Sequence, residues 1–191
     1  MEGRNPLPLV IEALAFAAER HAGHTRKGDD AGPYINHPID VAARLVEAGI
    51  DDPSILAAAL LHDVVEDTGT TLAEIEDRFG SRVRDLVDAL SDDKRLPRRE
   101  RMRLQEFHAP ELDPAAKAIK IADKTSNARD VGFDPPRGWS VDRRREYLDW
   151  GERVVAACRG VNEALEASYD EVLAAARARI AFEDGEEADA S

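Results

Sequence analysis

Disulfides are excluded at once, because the 191-residue chain contains a single cysteine, Cys158, and an intrachain bridge needs two. Such usage makes a reducing cytoplasm the natural setting. Aromatic residues are scarce, at 5%. A β-sandwich draws heavily on aromatic and β-branched side chains. The Ala, Leu, Glu and Arg that dominate here favour helices instead. Long hydrophobic runs are missing too. The longest, 55–61, is far short of the roughly 20 residues that cross a bilayer. Residues 1–8 lack the apolar centre of a secretory signal. Positive charge is in deficit, with a net charge of −13, and Glu183, Asp184, Glu186, Glu187 and Asp189 hold five of those charges, leaving −8 for the rest. That sign excludes nucleic-acid binding through a broad phosphate-tracking face. A polyanionic small molecule would need local basic groups or a metal.

What is present is helical periodicity nearly from end to end. The spacing predicts one all-α domain over residues 1–182, a compact helical bundle, followed by an acidic tail over 183–191 without structure. A first helix is expected near 8–22, then a polar loop over 23–34. Pro38 suits a helix start with His37 in its N-cap region, and Ile39, Ala42, Ala43, Leu45 and Val46 are expected to be its buried face. Asp52-Pro53 opens a helix that is apolar nearly all round, hence central and buried, and it is expected to run on to about Asp67. Thr71 with Glu74 is a capping box, Phe79-Gly80 a stop, Ser81 the next cap, and Pro97 another helix start. Asp113-Pro114 opens a helix to about Asp130. Two long helices are expected over 140–167 and 169–181.

Chemistry concentrates in Leu60-Leu61-His62-Asp63-Val64-Val65-Glu66-Asp67, where acids and an imidazole end a strongly apolar helix. Burying them without partners would be heavily penalised. A divalent cation that takes His62 and Asp63 as ligands removes that cost. Glu66 follows His62 by four residues and Asp63 by three, one turn along on the same face, within reach of water or substrate. The bland alternative is an exposed helix end carrying ordinary surface charge. Further donors would have to come from elsewhere. His37 lies in the short rigid segment before Pro38, and otherwise reads as a capping-region residue. Asp123 lies inside the apolar run 118–122 and needs a partner, which could equally be Lys120 or Lys124. His37, His62, Asp63 and Asp123 would together offer two nitrogens and two oxygens, leaving an open position. The basic stretch 98–103 reads as a solvated face or as an electrostatic guide to a pocket mouth. Cys158 reads as a core residue, since no local histidine accompanies it.

These residues are also where a resemblance lies. The set His37, His62-Asp63 and Asp123 is similar to the HD phosphohydrolase superfamily. His21-Ala22-Gly23, Arg26-Lys27, Pro33-Tyr34-Ile35-Asn36-His37-Pro38, the run 57–68, and Lys120-Ile121-Ala122-Asp123-Lys124 with Asn127 resemble the hydrolase domain of RelA/SpoT homologues. Asp92-Asp93-Lys94, Leu96-Pro97, Gly138-Trp139-Ser140 and Glu146-Tyr147-Leu148-Asp149-Trp150 look like the stand-alone small alarmone hydrolases, the Mesh1-like group. The resemblance covers roughly residues 8–175. It implies removal of pyrophosphate from the 3′ position of (p)ppGpp with one manganese ion. By motif position, His37, His62, Asp63 and Asp123 would bind the metal. Glu66 and Asp67 would orient or activate water. Arg26, Lys27, Asn127 and Tyr147 would contact the guanine nucleotide. His24 departs from the Gln common in the family, and Thr125-Ser126 from a bulkier pair. A related nucleotide phosphatase acting on NADPH is the rival activity. The sequence does not report oligomeric state; a homodimer is the alternative to a monomer.

Overall fold

A computed structural model describes residues 7–28 and 32–189, so the 29–31 part of the expected polar loop lies outside the described residues. Ten α-helices follow one another: α1 (Leu7–Arg20), α2 (Asn36–Glu47), α3 (Pro53–Leu61), α4 (Val64–Asp67), α5 (Leu72–Phe79), α6 (Ser81–Leu90), α7 (Arg98–His108), α8 (Pro114–Phe133), α9 (Val141–Cys158) and α10 (Glu163–Asp189). Among the described residues there is no strand, only an isolated bridge between Thr25 and Pro33. Among the described residues no helix is long and apolar enough to cross a membrane.

The middle of the bundle is α3. Its side chains from Leu56 to Leu61 are all buried, as its all-round apolar sequence requires. It packs against α1, α2, α6 and α8. Asp52 caps it, accepting from the amide of Ser54 at 2.8 Å, with Pro53 in the first turn. Thr71 caps α5 by accepting from the amide of Glu74 at 3.2 Å. Cys158 is wholly buried in the core, where burial pushes its thiol pKa up, as befits a packing residue.

Five local expectations are corrected. The helix expected through Asp67 breaks after Leu61, because His62 Nδ1 donates to Ala59 O at 2.7 Å. That carbonyl is the one an uninterrupted helix would offer to the amide of Asp63. The buried face of α2 is rotated: His37, Pro38, Val41 and Leu45 point inward, whereas Ile39 and Val46 are 41% and 56% exposed. Ser81 is the first residue of α6, and Gly80 holds the cap position at φ 87°. The break between the last two helices comes at Gly160, φ 93°, and not at residue 168. Asn162 caps α10 by accepting from the amide of Leu165 at 2.9 Å, and Glu166 Oε1 accepts from the amide of Gly160 at 2.8 Å. Lastly, α10 continues through the acidic segment to Asp189. Glu183 accepts from Arg144 at 2.5 Å and from Arg179 at 2.7 Å, and Asp184 from Arg145 at 2.7 Å. Composition alone does not disclose those partners.

Close packing of α8 on α10 rests on Gly132, where an added Cβ would stand 2.6 Å from the Ala176 side chain and 2.8 Å from its Cα. Gly132→Ala gains roughly 1 kcal/mol of helix propensity but overpacks a backbone contact, at a cost of about 1–3 kcal/mol. The expected result is a net loss of unfolding free energy, read from urea denaturation; an increase would contradict this packing.

Candidate metal centre and adjoining cleft

Three elements meet at one point. The first turn of α2 supplies His37, the break after α3 supplies His62 and Asp63, and the middle of α8 supplies Asp123. His37 Nε2 lies 3.2 Å from Asp123 Oδ1 and 3.7 Å from Asp63 Oδ2. His62 Nε2 lies 3.1 Å from Asp63 Oδ2 and 3.8 Å from Asp123 Oδ1. These are separations expected of ligands that each bond one centre at about 2.1 Å. One ligand atom from each of His37, His62 and Asp123 lies within 4.8 Å of the others. All three residues are buried, at 4%, 5% and 7% exposure.

The imidazoles are oriented by their far nitrogens. His62 Nδ1 faces a carbonyl, which only accepts, so that nitrogen carries the hydrogen. His62 Nε2 is buried and, though close to two carboxylates, has no aligned hydrogen-bond partner. His37 Nδ1 faces Ser126 Oγ at 3.2 Å. A buried ring nitrogen beside two carboxylates, with no aligned partner of its own, fits a divalent cation taking the place of its proton.

Electrostatics make the same demand. Burial works against a charged His62, yet Asp63 and Asp123 outweigh it and carry its pKa up to about 10. Burial would raise the Asp63 carboxyl, but His62 and His37 hold it well below the usual range. Asp123, likewise buried, is held well below it by Lys124 and the two imidazoles. Lys124 donates to Asp123 Oδ2 at 3.0 Å, Asn127 to Oδ1 at 2.6 Å. Thus Asp123 both pairs with a lysine and faces the imidazoles. Lys120, the other candidate partner, donates to Leu90 O at 3.4 Å instead.

Of the two further acids, Glu66 lines a cavity of about 190 Å³ beside this cluster, with Arg98, Arg101, Asp123, Asn127 and Tyr147 among its other walls. It accepts from the Asp92 amide at 3.1 Å. Burial and then the Asp63 charge raise its pKa. Asp67 turns toward Lys94, with which it forms an ion pair. A second compartment, about 230 Å³, is walled by Arg26, Lys27, Trp139 and Asp130, and shares Tyr34, Arg98, Asn127 and Tyr147 with the first. Arg26 Nε donates to Asp130 at 3.0 Å, and its guanidinium lies 5.7 Å from the centre of the Tyr34 ring.

Sequence reasoning missed Trp139 and treated Tyr34 only as flanking text. It left Arg98 and Arg101 undecided, and both line the first cavity. Arg98 and Arg143 stand 5.4 and 4.5 Å from the Trp139 ring centre. Residues 98, 139 and 147 lie on three separate segments, so no spacing along the chain could have joined them.

Comparison with known proteins places this geometry. Residues 13–149 match the HD domain family. The chain belongs to that family. It is 50% identical over 166 residues to the Xenopus tropicalis protein named guanosine-3′,5′-bis(diphosphate) 3′-pyrophosphohydrolase MESH1, covering 86% of this chain and 93% of the relative. The Homo sapiens protein of the same name is 51% identical over 158 residues, covering 82% and 88%. A solved structure, described as a metazoan ortholog of SpoT that hydrolyzes ppGpp and plays a role in starvation responses, superposes with a TM-score of 0.85. It is 43% identical, covering 89% of this chain and 96% of that one.

A cation bound through His62 at this HD site would displace the proton that Asp63 and Asp123 favour on its imidazole. Manganese affinity is therefore expected to rise about tenfold per pH unit between pH 6 and 8, with proton release visible by calorimetry in buffers of different ionisation enthalpy. Affinity independent of pH would contradict a protonated His62.

Proposed function

We propose that this chain is a metal-dependent guanosine-3′,5′-bis(diphosphate) 3′-pyrophosphohydrolase that works in the cytoplasm with one manganese ion, held by His37, His62, Asp63 and Asp123. The observation that carries the reading is the convergence of two imidazoles and two carboxylates, with nitrogen–oxygen separations of 3.1–3.8 Å, in the wall of a cavity that shares Tyr34, Arg98, Asn127 and Tyr147 with a neighbouring basic, aromatic compartment. The family membership and the names of the relatives agree with it.

A divalent cation in that position supplies Lewis acidity toward a phosphoryl oxygen and makes water easier to deprotonate. The residues supply the rest. Glu66, its basicity increased by burial and by Asp63, and Asp67 orient the attacking water, and one of the two carboxylates receives its proton. The water oxygen bonds to the phosphorus nearest the ribose, and the bond from that phosphorus to the 3′ oxygen breaks. The 3′ oxygen takes up a proton and pyrophosphate departs. Arg26 and Lys27 hold the base and phosphates; Asn127 and Tyr147 hold the ribose and its phosphates. Arg26, a planar cation, suits stacking on a guanine face.

The acidic chain repels such a substrate at a distance, but physiological salt screens that within roughly 8 Å. A single contact with a local cation contributes on the order of 4 kcal/mol at short range near a protein surface. Local basic groups therefore outweigh the global charge.

Incubating the purified protein, manganese and ppGpp should yield pyrophosphate and GDP. Orthophosphate released from NADPH, with ppGpp untouched, would favour the phosphatase reading and sink this one. Asp63→Ala should abolish both manganese binding and turnover. Glu66→Gln should keep the metal while losing about 10²–10⁴-fold in rate. Full activity in either variant removes that residue from its role.

A further inference from the structure

One half-buried hydroxyl reaches the metal cluster from outside the proposed ligand set. Tyr34 donates from its phenol oxygen to Asp63 Oδ2 at 2.5 Å. That oxygen is the one lying 3.1 Å from His62 Nε2 and 3.7 Å from His37 Nε2. So Tyr34 touches the carboxylate at the atom nearest both imidazoles. Asp63 itself sits just past the end of α3, at φ −98° and ψ −7°, where helical hydrogen bonding no longer dictates its direction.

The Tyr34 ring is in turn held in place. It lies 4.7 Å from the buried His21 ring, 5.9 Å from the His37 ring and 5.7 Å from the Arg26 guanidinium, centre to centre or carbon to centre. His21 is 3% exposed, and its Nδ1 faces His24 Nδ1 at 3.3 Å. The amide of Tyr34 donates to His24 O at 2.9 Å, and the amide of His37 donates to Tyr34 O at 2.9 Å. Residues 21–24 and 34–37 are thereby tied to one another, and Tyr34 is shared between the cavity beside the metal cluster and the compartment of Arg26 and Lys27.

We propose that Tyr34 is a positioning residue of the metal centre: its hydroxyl aims the Asp63 carboxylate at the point shared by His37, His62 and Asp123, and the His21 ring keeps Tyr34 in that place. This rests on the metal reading above. Partners that orient a ligand carboxylate typically account for 10- to 100-fold in metal affinity. The hydroxyl contributes nothing to ring packing, so removing it leaves the fold unchanged.

The test is Tyr34→Phe, which keeps the ring against His21 and deletes only the oxygen. Manganese affinity of the metal-free protein is measured by calorimetry, and turnover of ppGpp is followed across manganese concentrations. The expected result is a 10- to 100-fold weaker manganese Kd, activity lost at limiting manganese and largely recovered at saturation, and a melting midpoint of the metal-free protein lowered by only a few degrees, the loss of one hydrogen bond. A variant that binds manganese within twofold of the unmodified chain overturns the assignment of Tyr34 and leaves the metal reading standing. If the unmodified chain binds no manganese, the metal reading falls and this proposal with it. His21→Leu, which removes the buttress but keeps the hydroxyl, should weaken manganese in the same direction by less; tighter binding in that variant would count against the buttress.

Discussion

The ring nitrogens of two imidazoles lie 3.1–3.8 Å from the oxygens of two carboxylates at the edge of an apolar helical core, and that group tolerates burial only with positive charge in its midst. The surrounding structure answers that demand. Lys124 neutralises one side of Asp123, and Tyr34 and Asn127 each donate to a carboxylate. The break after α3 turns Asp63 inward. Without a metal, His62 takes a proton against the cost of its burial. A divalent cation held there would meet the same requirement more fully than a proton, because it carries twice the charge.

Placement of the site follows from the core. A helix that is apolar all round must run through the middle of the bundle, so whatever ends it is delivered into the interior and not to the surface. His37 reaches the same point because the buried stripe of α2 is His37, Pro38, Val41 and Leu45, spaced three to four residues apart. Asp123 arrives from the central turns of α8, which packs on both α2 and α3. The result is a rigid first layer on helices, with the basic and aromatic cleft built from α7, α9 and the loop around Arg26. Net charge describes the surface of the molecule poorly as a guide to this cleft, since its cations are gathered at one mouth while the acids are spread and locally paired.

Some expectations failed for reasons of tertiary context. The break near Gly160 and the continuation of α10 depend on Asn162, Glu166, Arg144 and Arg145, whose side chains meet partners across a turn or on another helix. The acidic end looked unstructured only because its composition was read without those arginines. The outward Ile39 and Val46 show how a helix with apolar residues on two sides leaves its burial undecided until a neighbour selects one. Trp139 stood in the sequence only as part of a motif resemblance, because its place between Arg98 and Arg143 depends on how α7 and α9 pack.

The amino-acid order by itself determined the all-helical class, the burial of the 55–61 segment, the caps at Asp52 and Thr71, and the residue types able to hold a cation, because each depends on contacts within a turn or two of chain. The resemblance of motifs added which of those residues to group. Only the tertiary structure decided that residues 37, 62, 63 and 123 share one point, that Tyr34 stands over Asp63, and that Arg98 and Trp139 close the cleft. Those facts depend on how helices far apart in the chain pack, and packing is settled by shape complementarity across the whole core.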